Sequence, residues 1–349
     1  MNETLLTWLV FILAFGGMVL VHEFGHFIAA RLCKIEVEEF GIGLPTPGAI
    51  TLFTWQGTRF TLNWLPLGGF VRPKGENDPN VEGGLAAASP WKRLIVLFAG
   101  PLMNLFTAVL IYSLIFTRVG VPDANRVLVS SVTENSPAAE AGFQYGDIFI
   151  SGNGKPIRNY EELRVIVDAN ENKPVDFVID RHGEQVKLTA TPVMNTEADR
   201  IMIGVGLGVP FKQPSSPVET VSLGAQYTYY NVRALIALPA QMLRGTLNSE
   251  QSRLVGLKGI YDILQQTVSH DVQASASAPG PITDPIDQPV RTLELIASLS
   301  ISLGIFNLFP FPALDGGRII FVLPELIFRR RVSPQVENLI HGMGMAFLL

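Results

Sequence analysis

The chain predicts a polytopic α-helical membrane protein with a membrane-associated β-hairpin element and an extracytoplasmic α+β domain. Three observations carry that prediction. Of 349 residues, 48% are hydrophobic and only 16% charged, which is too apolar for an ordinary soluble protein and too interrupted for a pure helical bundle. Long apolar runs recur at Leu5–Leu32, Leu94–Thr117 and Leu293 to about Phe311, each near the length that crosses roughly 30 Å of hydrocarbon. Between the second and third runs, residues 123 to about 210 turn polar and strand-rich.

Taken in order, residues 1–35 form the first membrane helix. It lacks a basic leader and a small-residue cleavage site, so it reads as a retained span and not as a signal peptide. Residues 36–92 form a cytoplasmic-side element in which short alternating runs (Thr51-Leu52-Phe53, Arg59 to Trp64, Pro66 to Phe70) are broken by Gly and Pro, the pattern of β-hairpins. A hairpin this apolar is marginal in water, so it is expected against the helices or the membrane surface. Residues 93–118 are the second span, with Gly100-Pro101 and Asn104 inside it. Residues 119–212 read as a compact domain: a strand at 127–129, a short helix from Ser136 closed by Gly142, a strand at 148–150, a helix at 160–168, and strands at 175–179 and 186–190. Residues 213–292 hold an amphipathic segment, Val218–Met242, and a flexible Ala/Ser/Pro linker at 271–289. Residues 293–328 are the third span with a second apolar piece, and 329–349 a basic loop with an apolar stretch too short to span alone, the start of a fourth helix.

The chemistry sits in the first span. His22-Glu23-Phe24-Gly25-His26 is an H-E-x-x-H motif. On a helix, positions four apart share a face, so His22 and His26 can hold one zinc ion with Glu23 beside it as general base. Ionisable groups at membrane depth are costly and mark function. Basic residues lie between spans one and two (Arg31, Lys34, Arg59, Arg72, Lys74, Lys92, Arg93) and after span three (Arg329 to Arg331), which places both segments in the cytoplasm and the polar domain outside. Spans one and three then run the same way, and Asp315 arrives at a depth similar to His26. It reads either as a third ligand, which the parity of the spans favours, or as an acidic cap on the helix that follows. Pro310, Pro312 and the glycines around it suit non-helical backbone lining a cavity.

HEFGH in the first span, AGPLMN (99–104) in the second, NLFPFPALDGG (307–317) in the third and the element order of 119–212 together resemble the site-2 protease family of intramembrane zinc metalloproteases. The likeness is to bacterial members that carry a PDZ domain, here one copy. The resemblance implies that His22, His26 and Asp315 bind Zn2+, that Glu23 is the catalytic acid/base, and that Asn307 helps hold the substrate strand. Asn104 is expected either as a polar contact between helices or along the substrate path. It further implies single-pass membrane proteins as substrates, of the anti-sigma-factor or remnant-signal-peptide type, regulated intramembrane proteolysis, and a PDZ-like domain that binds an extended peptide at a sheet edge. The location implied is the bacterial inner membrane, with the N-terminus and PDZ-like domain outside and the active site towards the cytoplasm.

Other classes fit less well. A net charge of −5 without a basic stripe argues against nucleic acid. Cys33, the single cysteine, precludes an internal disulfide or a thiolate metal cluster. A non-catalytic scaffold that binds peptides through the PDZ-like domain and keeps a structural zinc is the competing reading; a fourth protein ligand would mark it. His182, His270 and His341 lack matching partners and are expected in structural or solvated roles.

Overall fold

The structure, a computed structural model, describes residues 3–195, 199–245, 256–276 and 288–348. Two compact units emerge, one holding residues up to 115 and the described residues from 216 onward, the other residues 116–215.

The first unit begins with α1 (Glu3–Leu32), 30 residues long. Glu3 in its first turn and Arg31 in its last complement the helix dipole. Leu5 and Leu13 are 61% and 64% exposed, so this apolar face has no partner among the described residues. The helix stops where Lys34 adopts φ 60° and Ile35 N–H returns to Ala30 O at 2.9 Å, which turns the chain into the sheet. The strands are β1 (Val37–Leu44), β2 (Ile50–Trp55), β3 (Thr58–Leu62) and β4 (Leu65–Pro73). The hairpin expectation is met only by β2 and β3, joined by a two-residue turn whose Gln56 and Gly57 both have positive φ (48° and 85°). The whole is a four-stranded mixed sheet of order β2-β3-β1-β4, in which β1 pairs with β3 in parallel and with β4 antiparallel. The reason is apolar burial. Phe40 on β1 and Phe60 on β3 sit side by side in register, and both rings meet Phe27 of α1 at 5.5 and 5.7 Å between centroids. β4 packs on α1 through Gly69, where a Cβ would come within 2.9 Å of Leu20 Cδ1.

Next, α2 (Pro90–Val119) also runs 30 residues and exposes Leu102 and Phe106 at 55% each. α1 and α2 are the two described helices long and apolar enough to cross a membrane.

The second unit contains β5 (Val121–Pro122), β6 (Val127–Val132), α3 (Pro137–Ala141), β7 (Ile148–Gly152), β8 (Lys155–Pro156), α4 (Tyr160–Asp168), β9 (Val175–Arg181), β10 (Glu184–Ala190), β11 (Val193–Asn195), β12 (Arg200–Met202), β13 (Val205–Gly208) and β14 (Phe211–Lys212). The short helix α3 is capped as its sequence predicts: Ser136 accepts from Ala139 N, and Gly142 ends it at φ 82°. A sheet of order β10-β9-β7-β6-β13 leaves β13 on an edge. Its core includes Val129, Phe149, Phe177 and Ile179, none more than 2% exposed. Fully buried Asp147 accepts from Gln144 N at 2.8 Å and twice from Arg181, each at 2.8 Å. That carboxylate holds the Arg181 guanidinium above its ordinary range.

Back in the first unit are α5 (Pro217–Leu243), α6 (Leu257–Ala276), α7 (Arg291–Asn307), α8 (Asp315–Phe328) and α9 (Pro334–Leu348). α5 covers the expected amphipathic segment and packs on α2, with Tyr227 on Tyr112 at 4.8 Å and Gly224 against the Val109 carbonyl. The linker expectation is corrected for 271–276, which continue α6 as helix; 277–287 lie outside the described residues. The third apolar run breaks into α7 and α8 at the Pro-rich segment 308–314.

Candidate metal centre

α1 and α2 approach closely because glycines stand where they meet. A Cβ on Gly25 would collide with the Ala99 carbonyl and sit 2.9 Å from Met103 Cβ. One on Gly100 would lie 2.7 Å from His22 Nε2 and nearer still to His26 Nε2, so the space between these two nitrogens exists only because residue 100 has no side chain.

Both histidines are held by their second ring nitrogen. His26 Nδ1–H donates to Val96 O at 2.7 Å, which leaves Nε2 with its lone pair. His22 Nδ1 lies 3.2 Å from the side-chain amide of Asn104, whose Oδ1 is buried without a partner among the described residues. A half-turn of the amide brings that oxygen to Nδ1–H, pairs the orphan and frees His22 Nε2 as well. Asn104 is fully buried, and its backbone carbonyl accepts from Ser300 Oγ of α7 at 2.9 Å. The expectation that it lines a substrate path is therefore corrected. It joins helices and orients His22.

The third group comes from α8. Asp315 Oδ2 stands 3.0 Å from His22 Nε2 and 3.4 Å from His26 Nε2, and the two nitrogens are 3.1 Å apart. Four-coordinate zinc with bonds of about 2.0–2.1 Å separates its ligand atoms by about 3.3–3.4 Å. Two lone pairs and a carboxylate converging at this spacing repel one another unless a cation or proton lies between them, so the donor set fits zinc in chemistry and size. Asp315 has no capping hydrogen bond; the residue before α8 is Leu314. The helix-cap alternative fails because the carboxylate turns to the histidines instead.

Residues 308–314 deliver Asp315. Gly316 and Gly317 sit under the carbonyls of Leu308, Phe309 and Phe311, where any Cβ would collide. Ala313 holds φ 76°, a left-handed conformation that costs a non-glycine residue about 1–2 kcal/mol. Along α8, Arg318 pairs with Glu76, Val322 is buried, and Glu325 pairs with Arg93 of α2. With Asp315 these positions recur at helical spacing, so one face of α8 is fastened along its length.

Glu23 lies next to His22 in sequence, and its Oε2 accepts from Val71 N–H of β4 at 3.1 Å. Because β4 is a sheet edge, this N–H is available to a side chain. Asn307, by contrast, donates its side-chain amide to Leu303 O in its own helix at 2.9 Å. Of the histidines set aside earlier, His270 lies 3.3 Å from its neighbour Asp271. His341 accepts a hydrogen bond from Ala313 N–H at 3.0 Å, a role no local pattern announces. Among the described residues, His22, His26 and Asp315 form the single cluster of this kind, without a fourth His, Cys, Asp or Glu.

Comparison with known proteins identifies the family. The family model Peptidase family M50 matches residues 10–349. A Clostridium perfringens protein whose name describes a zinc metalloprotease is 30% identical, covering 97% of this chain and 93% of that one. One from Bartonella henselae with the same description is 31% identical over 95% of each. A metalloprotease of Caulobacter vibrioides is 28% identical, covering 99% of this chain and 92% of that one. Among solved structures, a PDZ domain of Listeria monocytogenes is similar to 24% of this chain and 87% of that one, at 18% identity and a TM-score of 0.22. The chain belongs to peptidase family M50, the site-2 protease family, and is a zinc metalloprotease.

Proposed function

We propose that the enzyme is a polytopic intramembrane endopeptidase that hydrolyses peptide bonds within or next to the spanning helices of single-pass membrane proteins. The observation that carries this reading is that two of the three residues of the His22–His26–Asp315 cluster stand on α1, whose outward face exposes leucines and no charge from Leu5 to Leu20. Such a site meets substrates that arrive through the bilayer.

His22, His26 and Asp315 would hold the zinc. Bound there, it supplies a Lewis acid and brings the pKa of a water towards 7. Glu23 takes the proton of the attacking water and returns it to the leaving nitrogen. A helical substrate must first unwind, and its freed backbone groups need partners. The edge of β4 beside Glu23 offers them. A groove of about 630 Å³, lined by Trp8, Phe11, Phe15, Val19, Gly68 and Tyr261, reaches to within one helical turn of His22 and gives an apolar segment a path to that edge.

In the second unit, the exposed edge of β13 borders a groove of about 710 Å³ lined by Leu163, Val167, Ile203 and Leu207, with Arg164 and Arg200 at its margins. This suits a PDZ-like domain that adds an extended peptide as a strand. Charge placement supports the N-terminus and this domain outside and the active site towards the cytoplasm of a bacterial inner membrane. The family resemblance of the motifs is the support for substrates of the anti-sigma-factor or remnant-signal-peptide type in regulated intramembrane proteolysis. The absence of a fourth ligand among the described residues weighs against a structural zinc in a scaffold.

The test is cleavage of a model transmembrane substrate by purified protein beside Glu23→Gln, with zinc measured in both. Equal cleavage by the two would refute the role of Glu23, and cleavage confined to soluble peptides would refute the intramembrane reading.

A further inference from the structure

We infer that His341, on α9, is a positioning residue for the metal centre: it locks the backbone at Ala313 and so sets where Asp315 stands. The inference rests on the reading of Asp315 as a zinc ligand.

Every backbone N–H of the segment between α7 and α8 has a hydrogen-bond partner. Residues 308–314 contain two prolines, which leaves the N–H groups of Leu308, Phe309, Phe311, Ala313 and Leu314. Leu308 and Phe309 donate to Ile305 O and Phe306 O, Phe311 to Phe309 O, and Leu314 to Phe311 O. All four bonds are local. Ala313 alone among them donates to a side chain, Nδ1 of His341, 28 residues away. Ala313 is also the residue in the left-handed conformation, two positions before Asp315. A backbone held in a disfavoured region persists only when its surroundings over-determine it.

α9 is seated to do this. Gly344, one turn beyond His341, is buried against Pro312, where a Cβ would lie 2.7 Å from the proline carbonyl. Phe321 of α8 packs edge-on to the imidazole at 5.6 Å. Because Nδ1 accepts, the proton of the neutral ring is on Nε2, which is buried without a partner among the described residues. An apolar side chain would avoid that orphan. The bond to Ala313 is what the histidine contributes in return.

Without that acceptor, the Ala313 N–H is unpaired and its φ is free to relax, which rotates the first turn of α8. Ligand geometry tolerates about 0.2 Å. A relaxed segment carries Asp315 Oδ2 outside that range of its 3.0 and 3.4 Å separations from the two imidazoles.

The test uses full-length protein and exploits atom position: Asn places its oxygen where His has Nδ1, Gln places its own where His has Nε2, and Leu offers neither. In metal-free His341→Asn, hydrogen exchange of a peptide spanning 308–318 should match the wild type, and zinc should be retained equally against a graded chelator. His341→Gln and His341→Leu should exchange faster across 308–318 and lose zinc at about tenfold lower chelator. Asp315→Ala is the reference. If it retains zinc, the ligand reading falls and this inference with it. If it loses zinc while the Gln and Leu variants hold theirs, this inference alone falls. Equal loss in Asn, Gln and Leu also overturns it, since packing then explains the effect. Asn and Gln are both polar and of related size, so their contrast stands even if the Leu variant does not fold.

Discussion

Gly100→Ala is the most exacting perturbation of the site, because two effects of opposite sign compete. In the interior of α2 an alanine is favoured over glycine by about 1 kcal/mol from backbone propensity alone. Its methyl, however, is fixed by the backbone at 2.7 Å from His22 Nε2 and closer to His26 Nε2. Ordinary contact begins near 3.4 Å, so the imidazoles or α2 must retreat by at least 0.7 Å from the first nitrogen and further from the second. Zinc geometry tolerates about 0.2 Å, and the methyl occupies space the ion itself needs. The expected outcome is a folded protein with less than about a tenth of the wild-type zinc of about one ion per chain, and overpacking that costs about 1–3 kcal/mol. The assay is zinc per chain by elemental analysis after dialysis, with thermal unfolding of the metal-free protein as the control for folding. A Gly100→Ala protein that keeps stoichiometric zinc would refute the convergence of both Nε2 atoms on the face of residue 100.

Glu23→Gln should keep its zinc yet lower the cleavage rate by about 10²–10⁴-fold, measured on a transmembrane model substrate, since the amide cannot carry the proton. Asn104→Leu, which removes the partner of His22 Nδ1 at similar volume, should weaken zinc binding about 10–100-fold in a chelator competition; unchanged affinity would show that the amide does not orient the ring. Removal of zinc by a chelator should abolish cleavage, and restored zinc should recover it. In the second unit, Asp147→Ala leaves Gln144 N–H unpaired and Arg181 with only its bond to Gly142 O, and should destabilise that unit by about 2–3 kcal/mol, below the usual cost of breaking a buried pair because Arg181 keeps that bond and reaches solvent. Proteolysis of residues 116–215 within the full chain reads this directly.

Much of the site was legible because its signals are local. Positions four apart on a helix share a face whatever surrounds them, so His22 and His26 were paired before any fold was known, and Glu23 came with them. For Asp315 the direction of two spans favoured the ligand over a helix cap, and the family resemblance implied the full set. Asn104 and Asn307 stayed undecided for the opposite reason. A polar residue in an apolar helix has the same local appearance whether it faces a substrate, a neighbouring helix or a ligand's second nitrogen. The β element shows the same limit: Gln56-Gly57 announces its own hairpin, but nothing local announces that β1 pairs in parallel with β3.

By itself, then, the sequence determined the chemical class of the donors, the apolar character of the helices that bear them, and the caps and turns that close α3 and join β2 to β3. Only the tertiary structure decided the rest: that Gly100 leaves room between the two imidazoles, that the edge of β4 supplies an N–H to Glu23, and that His341 reaches across 28 residues to Ala313. Periodicity and capping act within a few residues, whereas these contacts depend on how closely distant backbones approach. That distance is set by side chains that are absent as much as by those present.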